Sequence, residues 1–178
     1  MTRWKLTVEY NGDAYAGWQR QENGPSIQQS MEEAVLRFCG EKTRVHGSGR
    51  TDAGVHALGQ VAHVDIAKAA DAHTVREAQN AHMRDEMRVV TEAGSVPADF
   101  HARVSAVERC YLYRILNRRS RPALEAGRVW HVPLPLDADA MNDAAQVLVG
   151  RHDFTSFRAA MCQAKSPVRT VEELRVTQ

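Results

Sequence analysis

Apolar and polar residues alternate from Lys5 to Tyr10, with Leu6, Val8 and Tyr10 on one face and Lys5, Thr7 and Glu9 on the other. A period of two predicts a half-buried strand, which Asn11-Gly12-Asp13 then breaks. From Ser26 the period lengthens. Ser26 and Gln29 have the spacing of a capping box, and Ile27, Met31, Val35 and Phe38 follow on one helical face up to Gly40. A short strand is expected around Thr43–His46, and a longer one over Gln60–Ile66 with Ala62, Val64 and Ile66 inward. Thr74 and Glu77 predict a second cap, opening a helix through about Met83, and Met87–Glu92 reads as a strand.

In the second half, Arg109–Asn117 sets Tyr111, Tyr113 and Ile115 against Cys110, Leu112 and Leu116, the pattern of a strand. Val129–Val132 predicts another. Asp137 opens a helix with Met141, Ala144, Ala145 and Leu148 inward and Gly150 at its end, and Val171–Val176 closes the chain as a final strand. The strands lack the long apolar runs of a buried parallel sheet. The expectation is α+β, with a mixed, largely antiparallel sheet and helices on one face. Gly94–Pro97 is the best break, giving domains over 1–96 and 97–178.

Composition narrows the class. The 178 residues are 43% hydrophobic and 25% charged, which excludes disorder, collagen and coiled coil. No run approaches the ~18 apolar residues of a membrane helix, and the charged N-terminus lacks a signal-peptide core. Three scattered cysteines, Cys39, Cys110 and Cys162, argue for reduced thiols in the cytoplasm. The net charge of +1 conceals an uneven distribution, because His101 to Arg128 holds seven arginines and two glutamates. Bulk charge therefore says nothing about a nucleic-acid partner, and this local excess of positive charge matters more. His46, His56, His63 and His101 lack paired ligand spacing, so no metal site is expected.

The chemistry concentrates in His46-Gly47-Ser48-Gly49-Arg50-Thr51-Asp52-Ala53-Gly54-Val55-His56. A dinucleotide fingerprint would need glycine at position 52, and a phosphate loop would need Lys then Ser or Thr after Gly54. Asp52 and Val55-His56 exclude both. What remains is a carboxylate on a glycine-rich loop, two residues from an arginine. Asp52 is either a turn residue bonding to nearby backbone or an ionised nucleophile or base.

Gly49-Arg50-Thr51-Asp52-Ala53-Gly54-Val55-His56 resembles the catalytic motif of the tRNA pseudouridine synthase A family. Glu9-Tyr10-Asn11-Gly12 with Tyr15, Gly17-Trp18-Gln19-Arg20-Gln21, Ser26-Ile27-Gln28, Phe100-His101-Ala102-Arg103, Tyr111 with Tyr113, and Asp153-Phe154-Thr155-Ser156-Phe157 resemble its other blocks, in order. The chain differs from the family pattern at Asn80–Met87 and at Cys110.

The resemblance implies a pseudouridine-synthase-like fold of two ferredoxin-like halves, the second incomplete because relatives run on beyond the point matching Gln178. It implies isomerisation of uridine to pseudouridine at positions 38, 39 and 40 of the tRNA anticodon stem-loop, in a cytoplasmic homodimer without metal or organic cofactor. Asp52 would be the catalytic carboxylate, by attack on C1′ or by taking a proton from C2′. Arg50 would orient Asp52 and fill the space of the flipped base, and Tyr111 would pack its ring on that base. Arg20 and Arg103 would bind the RNA, and the stretch from Arg103 to Arg128 would either track its backbone or form a solvated strand face. Trp18 would either stack or sit in the core. The alternative is a truncated or degenerate RNA-binding protein without catalysis.

Overall fold

The computed structural model describes residues 1–83, 88–158 and 166–178. Contacts divide the chain into two compact units, Met1–Leu112 and Tyr113–Gln178, described in turn.

In the first unit, β1 (Thr2–Tyr10) leads to α1 (Ile27–Cys39), then β2 (His46–Gly47), β3 (Ala57–Ile66), α2 (Ala72–His82) and β4 (Arg88–Val96). The four strands form one sheet in the order β2-β3-β1-β4, and every neighbouring pair is antiparallel. This order and the β-α-β-β-α-β succession are those of a ferredoxin-like unit. The alternation read from the sequence decides which face is covered. Trp4, Leu6, Val8 and Tyr10 of β1 and Ala62, Val64 and Ile66 of β3 are buried, in one cluster with Ile27, Met31, Ala34 and Val35 of α1 and Val75 of α2. Register places Leu6 opposite Ala62 and Trp4 opposite Val64, so their side chains stack on the same face. The intervening residues Arg3, Lys5, Asp65 and His63 point the other way.

Ser26 caps α1, its Oγ accepting from the Gln29 amide at 3.2 Å. The Gln29 side chain turns instead to Glu33 at 2.9 Å, so only half of the capping box forms. Gly40 ends the helix in left-handed backbone (φ 77°), its amide donating to the Leu36 carbonyl. The second cap differs from expectation. Asp71, not Thr74, opens α2, its Oδ1 accepting the Thr74 amide at 2.7 Å, because a carboxylate three residues earlier caps the first-turn amides with charge assistance and starts the helix sooner. Gly94 also departs from its reading as a break, since it lies within β4 opposite Lys5. Residues 97–112 stay with the first unit: Arg3 Nη1 donates to the carbonyls of Phe100 (2.9 Å) and Ala98. Of the segment Asn80–Met87, residues 84–87 lie outside the described residues, as does Cys162. Asn80 itself joins α2 to β4 by a reciprocal pair of bonds with the Val90 backbone, at 2.8 and 3.0 Å.

The second unit holds β5 (Ile115–Asn117) parallel to β6 (Trp130–Val132), then α3 (Ala138–Ala145), then β7 (Gly150–Asp153) antiparallel to β8 (Val168–Val171). Asp137 caps α3, its Oδ1 accepting from Ala140 at 2.9 Å. Three expectations change here. The strand expected over Arg109–Asn117 is reduced to its last three residues, the final strand lies at 168–171 rather than 171–176, and the apolar face of α3 is not buried. None of this unit's described residues is buried, so alternation and amphipathic spacing have no covering layer to turn them into a core. No helix among the described residues is long and apolar enough to cross a membrane.

Candidate active site

Asp52 sits at the exposed tip of the loop between β2 and β3. Its base is tied to the sheet. The Ser48 amide donates to Val61 O at 2.8 Å, and Gln60 Nε2 donates to Gly49 O at 2.6 Å. Ser48 Oγ meets Gln60 Oε1 at 2.7 Å. Beyond Gly49, the buried Tyr10 hydroxyl bonds Thr51 Oγ1 at 2.9 Å, and burial raises the pKa of that phenol, keeping it protonated. The Val55 amide donates to Asp52 O at 3.2 Å, closing a turn around the carboxylate.

The segment from Gly12 to Arg20 packs along this loop. The Trp18 amide donates to Thr51 O at 3.0 Å, and His56 Nδ1 accepts the Gly12 amide at 3.1 Å. Such close approach requires two glycines. A Cβ on Gly12 would lie 2.2 Å from Val55 O, and one on Gly17, whose φ is +111°, would lie 2.5 Å from Thr51 O. The Trp18 ring is buried against Gly47 and 6.1 Å from the Tyr10 ring, so of its two readings the core position holds.

A cleft opens beside the loop. Its lining includes Arg44, His46, Arg50, His101 and Arg103, together with Gln19. Three guanidinium groups around one depression suit a phosphate-bearing ligand. Of the expected site residues, Arg50 and Arg103 thus share the cleft, while Asp52 projects from the same loop as Arg50. Arg20 is exposed and pairs with Glu32 of α1 at 3.1 Å. Tyr111 is 73% exposed and outside any strand. Arg109, expected only as part of the basic stretch, bridges Ser48 O (3.0 Å) and Arg103 O (3.1 Å), tying the Asp52 loop to the segment that carries Arg103. Gln28 has a similar part: its buried amide accepts from the Arg20 backbone at 3.0 Å and donates to Val45 O at 2.9 Å. No spacing rule reveals either connection, because both depend on which loops become neighbours.

Sequence spacing also missed a histidine cluster. The His46 and His63 rings stack at 4.8 Å, His101 lies 4.7 Å from His63, and the ligand atoms of all three lie within 4.8 Å of one another. The register, with His46 opposite His63, is what joins them. Yet His63 Nδ1 accepts the Ala102 amide at 3.1 Å, and His101 Nδ1 accepts the Arg103 amide at 3.2 Å. In a neutral ring that leaves the proton on Nε2, the reverse of a metal-binding histidine, which donates from its second nitrogen. Burial and the charges of His46 and His101 lower the His63 pKa to about 4, and burial lowers that of His46.

The family model described as tRNA pseudouridine synthase matches residues 6–103 and 144–178. The chain is 64% identical to the tRNA pseudouridine synthase A of Rhodospirillum rubrum over 177 residues, covering 99% of this chain and 64% of that protein. It is 59% identical to the protein of that name in Rhodospirillum centenum and 56% identical to that in Parvibaculum lavamentivorans, in each case over 99% of this chain and 72% of the relative. The chain therefore spans about two thirds of the length of these relatives. A ferredoxin-like unit that presents an exposed aspartate beside an arginine-lined cleft, within a match running through both units, places the chain in the tRNA pseudouridine synthase family.

Proposed function

We propose that this chain isomerises uridine to pseudouridine in the anticodon stem-loop of tRNA, at positions 38, 39 and 40, with Asp52 as the catalytic carboxylate. The observation that carries this reading is the exposed Asp52 on a backbone-braced loop whose neighbour Arg50 lines a cleft with Arg44 and Arg103. The reaction breaks the bond from N1 to C1′ and forms one from C5 to C1′. The proton on C5 leaves and N1 gains one, so nothing is added overall. The uridine must leave the base stack to meet the carboxylate.

Asp52 acts at the sugar, by attack on C1′ or by taking a proton from C2′. Arg50 orients Asp52 and fills the gap left by the flipped base. Tyr111, exposed at the end of the first unit, offers its ring to that base. Arg103 and Arg20 hold the phosphate backbone. A cytoplasmic homodimer working without metal or organic cofactor belongs to the same reading.

Release of tritium from tRNA labelled at C5 of uridine tests the assignment. Release by the parent chain that disappears in Asp52→Ala, with tRNA still bound, is the expected result. Undiminished release in Asp52→Ala would overturn the role of Asp52. Binding without release in the parent would favour an RNA-binding protein without catalysis.

A further inference from the structure

The sheet face opposite the helices carries polar groups that the chemistry at Asp52 does not use. His63, only 3% exposed, lies there on β3, with Lys5 of β1 and His46 of β2 as its cross-strand neighbours. Its Nδ1 accepts the Ala102 amide at 3.1 Å. Arg3 holds the same segment from the carbonyl side, donating to Ala98 and Phe100 while its Nε and Nη2 grip Asp65 at 2.8 and 2.7 Å. Ala102 is thus the pinned residue, and both of its neighbours, His101 and Arg103, line the cleft. The tie continues to the catalytic loop, because Arg109 bonds both Arg103 O and Ser48 O.

We propose that His63 is a positioning residue for the RNA cleft: as a neutral acceptor it latches Ala102 and sets His101 and Arg103, and its protonation releases this edge of the cleft. The RNA half rests on the tRNA reading above, whereas the latch stands on the hydrogen bond alone. A proton on Nδ1 would set two donors face to face and break the bond to Ala102. The groups around His63 are Arg3 and Lys5 from β1, His46 from β2 with Arg44 just before it, Asp65 on β3 itself, and Asp99 and His101 on the latched segment. Asp65 favours a charged ring, but burial, His46, His101 and Arg3 oppose it and prevail, so the ring is neutral at pH 7. Added positive charge would ordinarily strengthen RNA binding. The latch predicts the opposite sign, which makes it distinguishable from bulk electrostatics.

The test compares the parent chain with His63→Asn and His63→Leu. Asn places an acceptor oxygen near the Nδ1 position and cannot titrate, whereas Leu removes the acceptor. Two signals are read: the Ala102 amide by NMR hydrogen exchange and shift, and the affinity for a labelled anticodon stem-loop RNA by anisotropy at pH 7 and fixed salt. His63→Asn is expected to keep Ala102 protection and bind RNA within about twofold of the parent. His63→Leu is expected to lose that protection and bind about tenfold more weakly, the effect of one buried hydrogen bond left unmade. A Leu variant with unchanged β1 amide signals that keeps full RNA affinity would overturn the proposal.

Should the Leu variant not fold, acid titration of the other two chains decides. A single transition of the Ala102 amide below pH 5 in the parent, missing in His63→Asn, supports the latch. A parent amide unmoved from pH 7 to 4 refutes it. If the parent binds no RNA at all, the tRNA reading fails, and the Ala102 signal still settles the latch separately.

Discussion

The Trp18 amide donates to the Thr51 carbonyl at 3.0 Å, fixing the N-terminal loop to the residue next to Asp52. The bond joins two segments that lie on opposite sides of α1 in sequence. It explains why a short motif around Asp52 is not a sufficient description of the site. The loop is held by the sheet through Ser48, Gly49 and Gln60, and by its neighbour through Gly12, Gly17 and Trp18.

That packing predicts the effect of adding one methyl group. Gly12→Ala would force Cβ to 2.2 Å from Val55 O, and the loop, being backbone, has to move. Gly17→Ala adds the strain of a φ of +111°. Each is expected to lower unfolding free energy by about 1–3 kcal/mol and to reduce tritium release more than the loss of folded protein explains. Urea midpoints alongside release rates measure both. Release unchanged in Gly12→Ala would show that the loop geometry does not set turnover.

Asp52 behaves oppositely. Its side chain is exposed, and the bond that closes its turn uses its backbone carbonyl. Asp52→Asn should therefore keep stability within about 0.5 kcal/mol while lowering release by about 10³-fold or more. Thermal unfolding and release on the same preparation check the pair. A large stability loss would mean that Asp52 is chiefly a turn residue.

The first unit was largely legible because its two kinds of signal agree. Leu6, Val8 and Tyr10 alternate, Ser26 and Gly40 bracket a helical stripe, and each apolar face has a partner to cover it. The second unit was less legible for the same physical reason. Tyr113, like Tyr111 and Leu112 just before it in the chain, lies in no strand, and Met141 sits on α3 without a covering layer. Alternation states a preference, and tertiary contact decides whether it is met. Of the candidate site, Arg50 and Arg103, which share the cleft, and Asp52 on the adjoining loop are singled out by motifs. The bracing by Gln28, Gln60 and Arg109 and the meeting of His46, His63 and His101 come from register and loop proximity, which local spacing does not encode.

Gln79 offers a stability test away from the cleft. It is fully buried on the inner face of α2, one helical turn from Val75, and neither side-chain polar atom has a hydrogen-bond partner among the described residues. Burying an unpartnered amide costs free energy that an apolar chain of similar size avoids. Gln79→Met is expected to raise unfolding stability by about 1 kcal/mol. A lower urea midpoint in this variant would show that the amide is paired in solution.

The last prediction concerns acid. His63 is lowered to about 4 in the folded chain, against an ordinary value of 6.5. Between those values the unfolded chain takes up a proton that the folded chain refuses, so stability falls as pH drops through this window and the loss is complete near pH 4. From pH 7 to 5 the cost is on the order of 2 kcal/mol for this one ring. Asp65 contributes with a different window. Its hydrogen bond to Arg3 holds the carboxyl below 3.8, so its stabilisation is present above that value and is lost on further acidification through the lowered folded value. The two effects separate by mutation. Urea unfolding at pH 7 and 5 should show the decline in the parent and a much flatter response in His63→Asn, whereas Asp65→Asn should leave the pH 7-to-5 difference intact. Equal slopes in the parent and His63→Asn would mean that another group is responsible for the acid sensitivity.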